Sequence, residues 1–234
     1  MCGRYTLFAG VDSLEERLGA AADHPLEARY NAAPGQSLPV VLDEAPTRIT
    51  TAEWGLVPEW REGDSEGLVN ARAETVKEKP SFAEAFERRR CLVPADGFYE
   101  WVDRGNTRQP YRVAFEDDRT FTMAGLWERW VPTTAQTGLT DFAQAEGPDT
   151  TAEPRTTFTI ITTEPNEVVA ELHHRQAVIL DPSDEERWLH GDEETAASLL
   201  SPAAGDDMHA YPVSSAVNDP SNDDPDLVSP IDAE

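Results

Sequence analysis

Short runs in which apolar and polar residues alternate dominate the chain, and a period of two residues is typical of strands with one buried face. The clearest pair covers residues 38–43 and 47–54, which an Ala-Pro turn separates. The second run alternates around Ile49 and Ala52, so we expect an antiparallel strand pair here. Further runs predict strands at residues 91–94, 98–102, 111–115, 120–127, 156–163, 176–180 and 208–213.

A smaller number of segments has the residue spacing of short helices. In residues 11–19, Asp12 or Ser13 can cap the first turn and Gly19 can end the helix. Residues 81–84 have the spacing of a capping box at the start of another helix. Three more helices are expected at residues 165–171, 182–190 and 193–200. Many short strands with a few peripheral helices predict one β-rich α+β domain.

Two segments lack this periodicity. Residues 131–155 are rich in Thr, Ala, Gly and acidic residues, and strand-like sequence resumes directly after them. This pattern favours a flexible acidic surface insertion over a linker between domains. Residues 223–234 are expected to form an acidic C-terminal tail, which leaves residues 1–222 as the folded domain.

The composition allows a packed interior and shows no membrane or secretion signal. The hydrophobic fraction is 39%, and it includes 6 Trp, 8 Phe and 5 Tyr residues. No apolar run approaches the roughly 18 residues that a membrane-spanning helix needs, and no signal peptide is visible. The two cysteines, Cys2 and Cys91, lie far apart in sequence and are expected to be reduced thiols. We therefore expect a cytoplasmic protein, and a monomer.

The charge of the chain is strongly acidic, with 45 acidic against 19 basic residues and a net charge of −26. Such a surface repels phosphates and ordinarily argues against nucleic-acid binding. A protein that works in concentrated intracellular salt, as in a halophile, is an exception because the Debye length falls to about 3 Å near 1 M. We favour the interpretation of a protein adapted to concentrated salt. The charges close to the binding site, and not the net charge, then determine which ligand binds.

Cys2 gives the chain its most distinctive chemistry. It is small enough for an aminopeptidase to remove Met1, which exposes an α-amine and a thiol on one residue. Their ordinary pKa values of about 7.7–8 and about 8.5 make both groups partly nucleophilic near neutral pH. The pair can condense with an aldehyde to a thiazolidine, or the thiolate can attack an acyl carbon with the amine as base. Cysteine can also occur at position 2 by chance. Whether Cys2 is a reactive N-terminal residue therefore has to be judged from the rest of the chain.

Asn70 and Arg72 are candidates for binding an anionic substrate. They lie two residues apart, which places both side chains on one face if the segment is extended. The guanidinium of such an arginine can bind a phosphate through two parallel hydrogen bonds. The ordinary alternative is a surface ion pair between Arg72 and Glu74.

Glu100 and a histidine pair are candidates for proton transfer. Glu100 stands among aromatic residues in the segment 96–101, where desolvation raises a carboxyl pKa and suits acid–base work. An outward-facing glutamate on an amphipathic strand is the alternative. His173 and His174 precede Arg175, in a structural or a functional role. Two cysteines and five histidines without ligand spacing predict neither a metal nor another cofactor.

Several segments follow one another in an order that is specific to one family. They are residues 1–5, 30–35, 54–58, 70–75, 90–101, 124–127, 159–166, 173–175 and 213–218. In this order they resemble the SRAP (SOS response-associated peptidase) proteins over nearly the whole chain, apart from 131–155 and the last dozen residues. The resemblance implies a mostly antiparallel, barrel-like sheet with short peripheral helices.

The resemblance also implies a function, which is to sense and shield abasic sites in single-stranded DNA. The N-terminal cysteine forms a thiazolidine crosslink with the aldehyde of the ring-opened sugar. The implied catalytic residues are Cys2 as nucleophile, Asn70 in a hydrogen bond to the reacting centre, Glu100 as proton shuttle and His173 as acid–base on the sugar oxygen or the leaving phosphate. Removal of the protein's own Met1 and abasic-site lyase activity are implied as well.

The implied DNA contacts come from four further residues. Arg72 holds the flanking phosphate, and Arg4 is a second arginine at the DNA. Pro34 and Trp60 line the groove in which the strand bends at the lesion.

The chain departs from the family pattern at two places. Gln176 and Ala177 replace the Met-Pro that follows the family's His-x-Arg, and the register favours His173 over His174 as the catalytic histidine. The C-terminal Val-Ser-x-x-Val-Gly-Asn pattern lacks its glycine, so the terminal loop is expected to approach DNA differently.

Two other classes of protein remain as alternatives. Glutamine amidotransferases with an N-terminal nucleophile also begin Met-Cys-Gly, and there Cys2 attacks the glutamine amide. Those enzymes use Asn-Gly motifs, and this chain contains no Asn-Gly dipeptide. A non-catalytic single-strand-binding module is supported only by the aromatic and arginine content.

Overall fold

The computed structural model describes residues 2–61, 67–105, 107–131 and 154–232. The strands are β1 (Tyr5–Leu7), β2 (Ala21–Ala22), β3 (Arg29–Ala32), β4 (Ser37–Leu42), β5 (Arg48–Trp54), β6 (Asn70–Arg72), β7 (Arg90–Ala95), β8 (Gly97–Asp103), β9 (Arg108–Phe115), β10 (Phe121–Trp130), β11 (Arg155–Thr163), β12 (Gln176–Ala177), β13 (Ile179–Leu180) and β14 (Met208–Pro212). The helices are α1 (Val11–Leu18), α2 (Ala83–Arg88), α3 (Glu167–Ala170), α4 (Glu185–His190) and α5 (Glu193–Ser198), with 3₁₀ turns at Pro182–Asp184, Ser215–Asn218 and Pro225–Val228. Among these helices, none is both long and apolar enough to cross a membrane.

Five strands close into a barrel. β4 pairs with β5 and β7, β7 with β10, β10 with β11, and β11 returns to β5. These pairings are antiparallel except that of β11 with β5, where Phe158 lies opposite Trp54. The rings of these two residues stack with centroids 6.2 Å apart. Closure pairs the edges of the sheet, and the β-rich α+β fold with a mostly antiparallel, barrel-like sheet is confirmed.

A second sheet carries the N-terminus of the chain, in the order β14-β9-β8-β1-β3. β1 lies between β3 and β8, and Tyr5 is the partner of both Ala32 and Phe98. The buried carboxylate of Asp96 anchors the residues after Cys2, because it accepts hydrogen bonds from the Thr6 hydroxyl and, at 2.6 Å, from the Phe8 amide. The strand that follows Cys2 is thereby held inside the sheet.

Most predicted elements appear within a few residues of their expected positions, but two helix starts differ. α1 ends at Gly19, whose φ of 60° is left-handed as expected, yet its N-terminal cap is Gly10 without a side-chain hydrogen bond. The predicted caps Asp12 and Ser13 are therefore wrong. The expected capping box at residues 81–84 is also absent, since α2 begins after Phe82 without a side-chain cap.

Segments with little hydrophobic alternation produced the other differences. Arg29–Ala32 forms β3, although the segment up to Gly35 has the composition of a loop. A β-turn follows, in which Gln36 donates to the Ala33 carbonyl at 3.3 Å and Gly35 has a φ of 83°. The expected strand 176–180 is divided into β12 and β13, because Val178 between them bonds to Ile161 of β11.

The predicted insertion and tail are only partly visible. Trp130 pairs with Arg155 at the ends of β10 and β11, and residues 132–153 between them lie outside the described residues. After residue 222, the Leu227 side chain is buried and the Ile231 amide donates to the Pro212 carbonyl at 3.0 Å. The described part of the C-terminal segment therefore packs against the domain.

Candidate active site

Asn70 contacts the nucleophile candidate Cys2 directly. β6 runs parallel to β11 with Asn70 opposite Ile160, so Ala71 is buried and its two neighbours share the other face. The Asn70 side-chain Nδ2 donates to the Cys2 carbonyl at 2.9 Å. Its Oδ1 atom is buried and has no hydrogen-bond partner in the described part of the chain. Asn70 thus holds the Cys2 backbone through Nδ2, and its buried Oδ1 remains able to accept a hydrogen bond from a ligand.

The Cys2 side chain is fully buried. Burial raises the pKa of its thiol well above the ordinary range, the negative charge of Glu100 raises it further, and the Arg4 backbone N–H opposes this shift. The sulfur is therefore protonated at neutral pH, and its reaction requires a nearby group that can accept a proton. Cys91 is also buried, with its thiol pKa raised by desolvation, as expected of a core cysteine.

Glu100 is such a proton acceptor. It lies in β8, is 2% exposed, and is therefore not the outward-facing glutamate of the alternative interpretation. Burial raises its pKa to about 7. At neutral pH the carboxyl group is present in both forms, so it can accept a proton and return it.

His173 is the histidine that reaches this carboxylate. Its Nδ1 atom lies 3.9 Å from Oε2 of Glu100, and burial lowers the pKa of the ring. The same nitrogen is 3.0 Å from the Arg175 amide nitrogen and 3.1 Å from the Arg175 carbonyl oxygen. It can therefore accept a hydrogen bond when neutral and donate one when protonated. His174 is exposed, and its ring lies against that of His173 at a tilt of 32° with centroids 4.3 Å apart, so only His173 is close to Glu100.

Arg72 is exposed at the end of β6, two residues beyond Asn70 and on the same face. It does not form the ion pair with Glu74 that was the alternative interpretation, because both carboxylate oxygens of Glu74 are bound by the guanidinium of Arg175. Arg175 also donates to the carbonyl and hydroxyl oxygens of Thr162. The Arg72 guanidinium therefore remains available beside the site.

Arg4 has an internal role in the structure. Its Nη1 donates to the Asn31 side chain at 2.9 Å and to the Val217 carbonyl at 2.7 Å. The Asn31 amide in turn donates to the carbonyls of Val217, Asp219 and Asn222 at 2.9–3.2 Å. Arg4 thus ties the residues after Cys2 to the C-terminal turn, and a contact with DNA stays a prediction for it.

Pro34 and Trp60 are both on the surface. Pro34 is exposed in the turn after β3, and the Trp60 side chain is 63% exposed. Trp60 and Pro80 line a hollow of about 360 Å³. Both residues are accessible to a ligand, as groove residues must be.

Sequence patterns missed one contact beside Glu100. The indole Nε1 of Trp101, the next residue in β8, donates to Asn218 Oδ1 at 2.7 Å. Asn218 belongs to the terminal pattern that lacks its glycine, so this turn contacts β8 on the face opposite to Glu100. The two residues are far apart in sequence, and no local spacing could have paired them.

Comparisons with known proteins show which family the whole chain resembles. A family model described as SOS response associated peptidase (SRAP) matches residues 1–220. The chain is 39% identical to abasic site processing protein YoqW of Bacillus subtilis, over 97% of this chain and 99% of that protein. It is 33% identical to abasic site processing protein HMCES of Gallus gallus, over 87% of this chain and 66% of that protein.

A solved structure extends the similarity to three dimensions. A crystal structure of a protein from Bacteroides thetaiotaomicron superposes with a TM-score of 0.82 at 28% sequence identity. The match covers 98% of this chain and all of that one. By family model, sequence and fold, the chain belongs to the SRAP family.

Proposed function

We propose that the protein senses abasic sites in single-stranded DNA and shields them through a covalent crosslink to Cys2. The observation that carries this proposal is the convergence of four side chains from distant parts of the chain. Asn70 bonds to Cys2 at 2.9 Å, Glu100 acts electrostatically on the Cys2 thiol, and His173 lies 3.9 Å from Glu100. The names of the relatives YoqW and HMCES, as abasic site processing proteins, support the same substrate.

The proposed reaction consumes an aldehyde and an aminothiol and releases water. After removal of Met1, the Cys2 amine attacks C1′ of the ring-opened sugar, and the carbinolamine loses water to give an imine. The Cys2 sulfur then adds to the imine carbon while its proton passes to nitrogen. One C–N bond and one C–S bond replace the carbonyl, and the product is a thiazolidine.

Glu100 transfers the protons in this sequence. The attacking amine must lose a proton, the departing hydroxyl must gain one, and the buried thiol must lose one. A carboxyl group with a pKa of about 7 can take each of these protons and return it at neutral pH. The unpartnered Oδ1 of Asn70 suits a hydrogen bond from a hydroxyl of the opened sugar.

His173 serves two further steps that we propose. Next to Glu100, it can donate a proton to the sugar oxygen as the ring opens. It can also accept the C2′ proton of the imine while the phosphate leaves C3′, and this β-elimination constitutes a lyase activity. We propose that the peptidase activity is limited to removal of the protein's own Met1, since the nucleophile is its immediate neighbour.

We propose a single strand, and a monomeric protein, for two reasons. The Cys2 thiol is fully buried, so the sugar has to approach it closely, and an unpaired strand bends for this more easily than a duplex. All four proposed catalytic side chains come from one chain, so a second copy is not needed.

The test is incubation with an oligonucleotide that contains one abasic site, followed by denaturing electrophoresis and intact mass measurement. We expect an adduct equal to protein plus DNA minus one water. The adduct should be lost for Cys2→Ser, retained for Cys91→Ser, and absent when borohydride has reduced the aldehyde beforehand. Ammonia release from glutamine without any DNA adduct would instead indicate the amidotransferase, and reversible binding alone would indicate a single-strand-binding module.

A further inference from the structure

Most of the 19 basic side chains of this acidic protein are neutralised within the structure. Exposed arginines pair with carboxylates, as Arg48 does with Asp23 and Arg129 with Glu44, both at 2.7 Å. Arg90 is buried and donates to backbone carbonyls instead. A basic side chain without an internal partner is therefore an exception in this protein.

In one segment, two basic side chains have neither a hydrogen bond nor an ion pair to the parts of the chain that the structure describes. The first is Arg72, whose neighbour Glu74 is bound by Arg175. The second is Lys79, which is exposed. The only other lysine, Lys77, pairs with Glu193 at 3.0 Å.

Consecutive turns bring Lys79 back towards Arg72. The Thr75 amide donates to the Arg72 carbonyl at 3.0 Å, and the Lys79 amide donates to the Thr75 carbonyl at 3.0 Å. The four-residue turn from Arg72 to Thr75 keeps its terminal Cα atoms within about 7 Å. The helical turn from Thr75 to Lys79 spans about 6 Å. Arg72 and Lys79 are thus at most about 13 Å apart between Cα atoms.

Beyond Lys79, proline and tryptophan side chains share a hollow with the carboxylates of Glu59, Glu84 and Glu128. Pro80 follows Lys79 directly, and Pro80 and Trp60 line the hollow of about 360 Å³. The Trp60 ring is 63% exposed and can stack on an unpaired base. Asn70 bonds to the buried Cys2, the two unpaired cations follow it in the chain, and Pro80 after Lys79 shares a hollow with the exposed indole.

We propose that Lys79 binds a backbone phosphate of the DNA arm that leaves the lesion over Arg72, and that this arm continues to Trp60. The proposal rests on the proposed function, because it needs single-stranded DNA with its lesion at Cys2. It adds a second phosphate-binding site to that of Arg72. It also states the path of this DNA arm, which runs from the lesion past Arg72 and Lys79 to Trp60. Cations that bind the backbone next to an aromatic ring that stacks on a base are the combination that single-strand-binding surfaces use.

Lys77 provides a matched control for Lys79. Lys79→Gln and Lys77→Gln change the net charge equally, so general repulsion from the acidic surface is the same in both. Only the Lys79 variant should lose a phosphate contact, and its log–log slope of binding against salt should be smaller in magnitude by about 0.7. The Lys77 variant should keep the wild-type slope. Binding is measured by fluorescence anisotropy on a single strand with a reduced abasic site.

Shortened oligonucleotides test the direction of the strand. With arms on both sides of the lesion, Lys79→Gln should weaken binding relative to Lys77→Gln. Removing the arm that runs over Arg72 should abolish the difference, and removing the other arm should leave it unchanged. Equal slopes for the two variants, or a difference that survives the loss of either arm, would overturn the proposal.

The crosslinking assay separates this proposal from the proposed function. If the wild-type protein crosslinks abasic DNA while the two lysine variants behave alike, only the role of Lys79 is wrong. If no protein forms an adduct, the proposed function itself is wrong.

Discussion

Oε2 of Glu100 lies 3.9 Å from Nδ1 of His173, and the two side chains come from β8 and from the segment after α3. Burial raises the pKa of the carboxyl to about 7 and lowers that of the imidazole. The carboxyl pKa is therefore shifted to neutrality, whereas the imidazole is held in its neutral form. Glu100 can exchange protons at the pH at which the Cys2 amine is nucleophilic, and the neutral His173 can accept one.

Replacing Glu100 by glutamine should slow crosslinking with little change in DNA affinity. The amide keeps the shape of the carboxyl group but cannot transfer a proton, and such groups contribute about 10²- to 10⁴-fold to rates. Single-turnover rates with saturating abasic DNA provide the measurement. Glu128→Gln is the control, since Glu128 is also buried with a raised pKa but pairs with Arg89. Weaker binding with an unchanged rate would contradict the assigned role.

The raised pKa of Glu100 also predicts how stability changes with pH. Between the ordinary glutamate value of 4.5 and about 7, the unfolded chain loses its proton while the folded protein keeps it. The unfolded state then binds fewer protons, so stability falls as the pH rises through this range and is constant above it.

Glu100→Gln lacks this dependence. We expect the unfolding free energy of the variant, relative to the wild type, to increase from pH 4.5 to 7 and then to level off. Urea unfolding at a series of pH values measures this difference, from which the contributions of other carboxylates cancel. A difference that is constant across this range would show that the carboxyl has an ordinary pKa.

The sequence predicted those parts of the fold in which hydrophobic alternation was strong. β5, β10 and β11 appear close to their expected positions because each buries one or both faces in the barrel. β1 and β3 were missed, because their hydrogen bonds to distant strands, and not their composition, hold them extended. Closure of the barrel through β5 and β11 likewise depends on a pairing of segments far apart in sequence.

The candidate site was accessible to sequence reasoning for a different reason. Cys2, Asn70, Glu100 and His173 were named from motifs, and the structure brings them together. The motifs could not show which cations are already bound. Arg4 and Arg72 look alike in sequence, but Arg4 binds backbone carbonyls whereas Arg72 is unpaired. Lys77 and Lys79 differ in the same way, because Lys77 pairs with Glu193 whereas Lys79 has no ion pair within the described residues.

The chemistry at Cys2 requires its amine as well as its thiol. We expect the mature protein to lack Met1, which intact mass spectrometry will show. Inserting one alanine between Met1 and Cys2 should leave the thiol in the chain but transfer the free amine to alanine. The stable adduct should then disappear, since no five-membered ring can close. A protein that retains Met1 and crosslinks at the normal rate would disprove the mechanism.

Asn31 should contribute strongly to stability. Its buried amide donates to three backbone carbonyls of the C-terminal turn and accepts from Arg4. Asn31→Ala leaves several of these groups without a partner, and we expect a loss of about 2–4 kcal/mol in unfolding free energy. Asn222→Ala removes only one exposed hydrogen bond, to the Ala216 carbonyl, and should cost less than about 1 kcal/mol. Urea denaturation compares the two, and equal losses would contradict the central role of Asn31.

The last prediction concerns how a protein with a net charge of −26 holds DNA. Phosphate contacts weaken with salt at a log–log slope of about −0.7 for each contact, whereas repulsion from surface carboxylates is relieved by salt. Arg72 acts at contact distance, while most carboxylates act beyond a Debye length of about 10 Å at 0.1 M and about 3 Å at 1 M. Raising the salt concentration should therefore remove the repulsion before it removes the contacts.

We accordingly expect the crosslinking rate to rise from low salt towards molar salt, and Arg72→Ala to lower the rate at every salt concentration. Exposed ion pairs such as Arg129–Glu44 contribute little to stability, so screening them should not unfold the protein. Circular dichroism at each salt concentration distinguishes unfolding from weak binding. A rate that falls steadily with salt while the protein stays folded would refute adaptation to concentrated salt, because the arginine contacts would then outweigh the repulsion at every ionic strength.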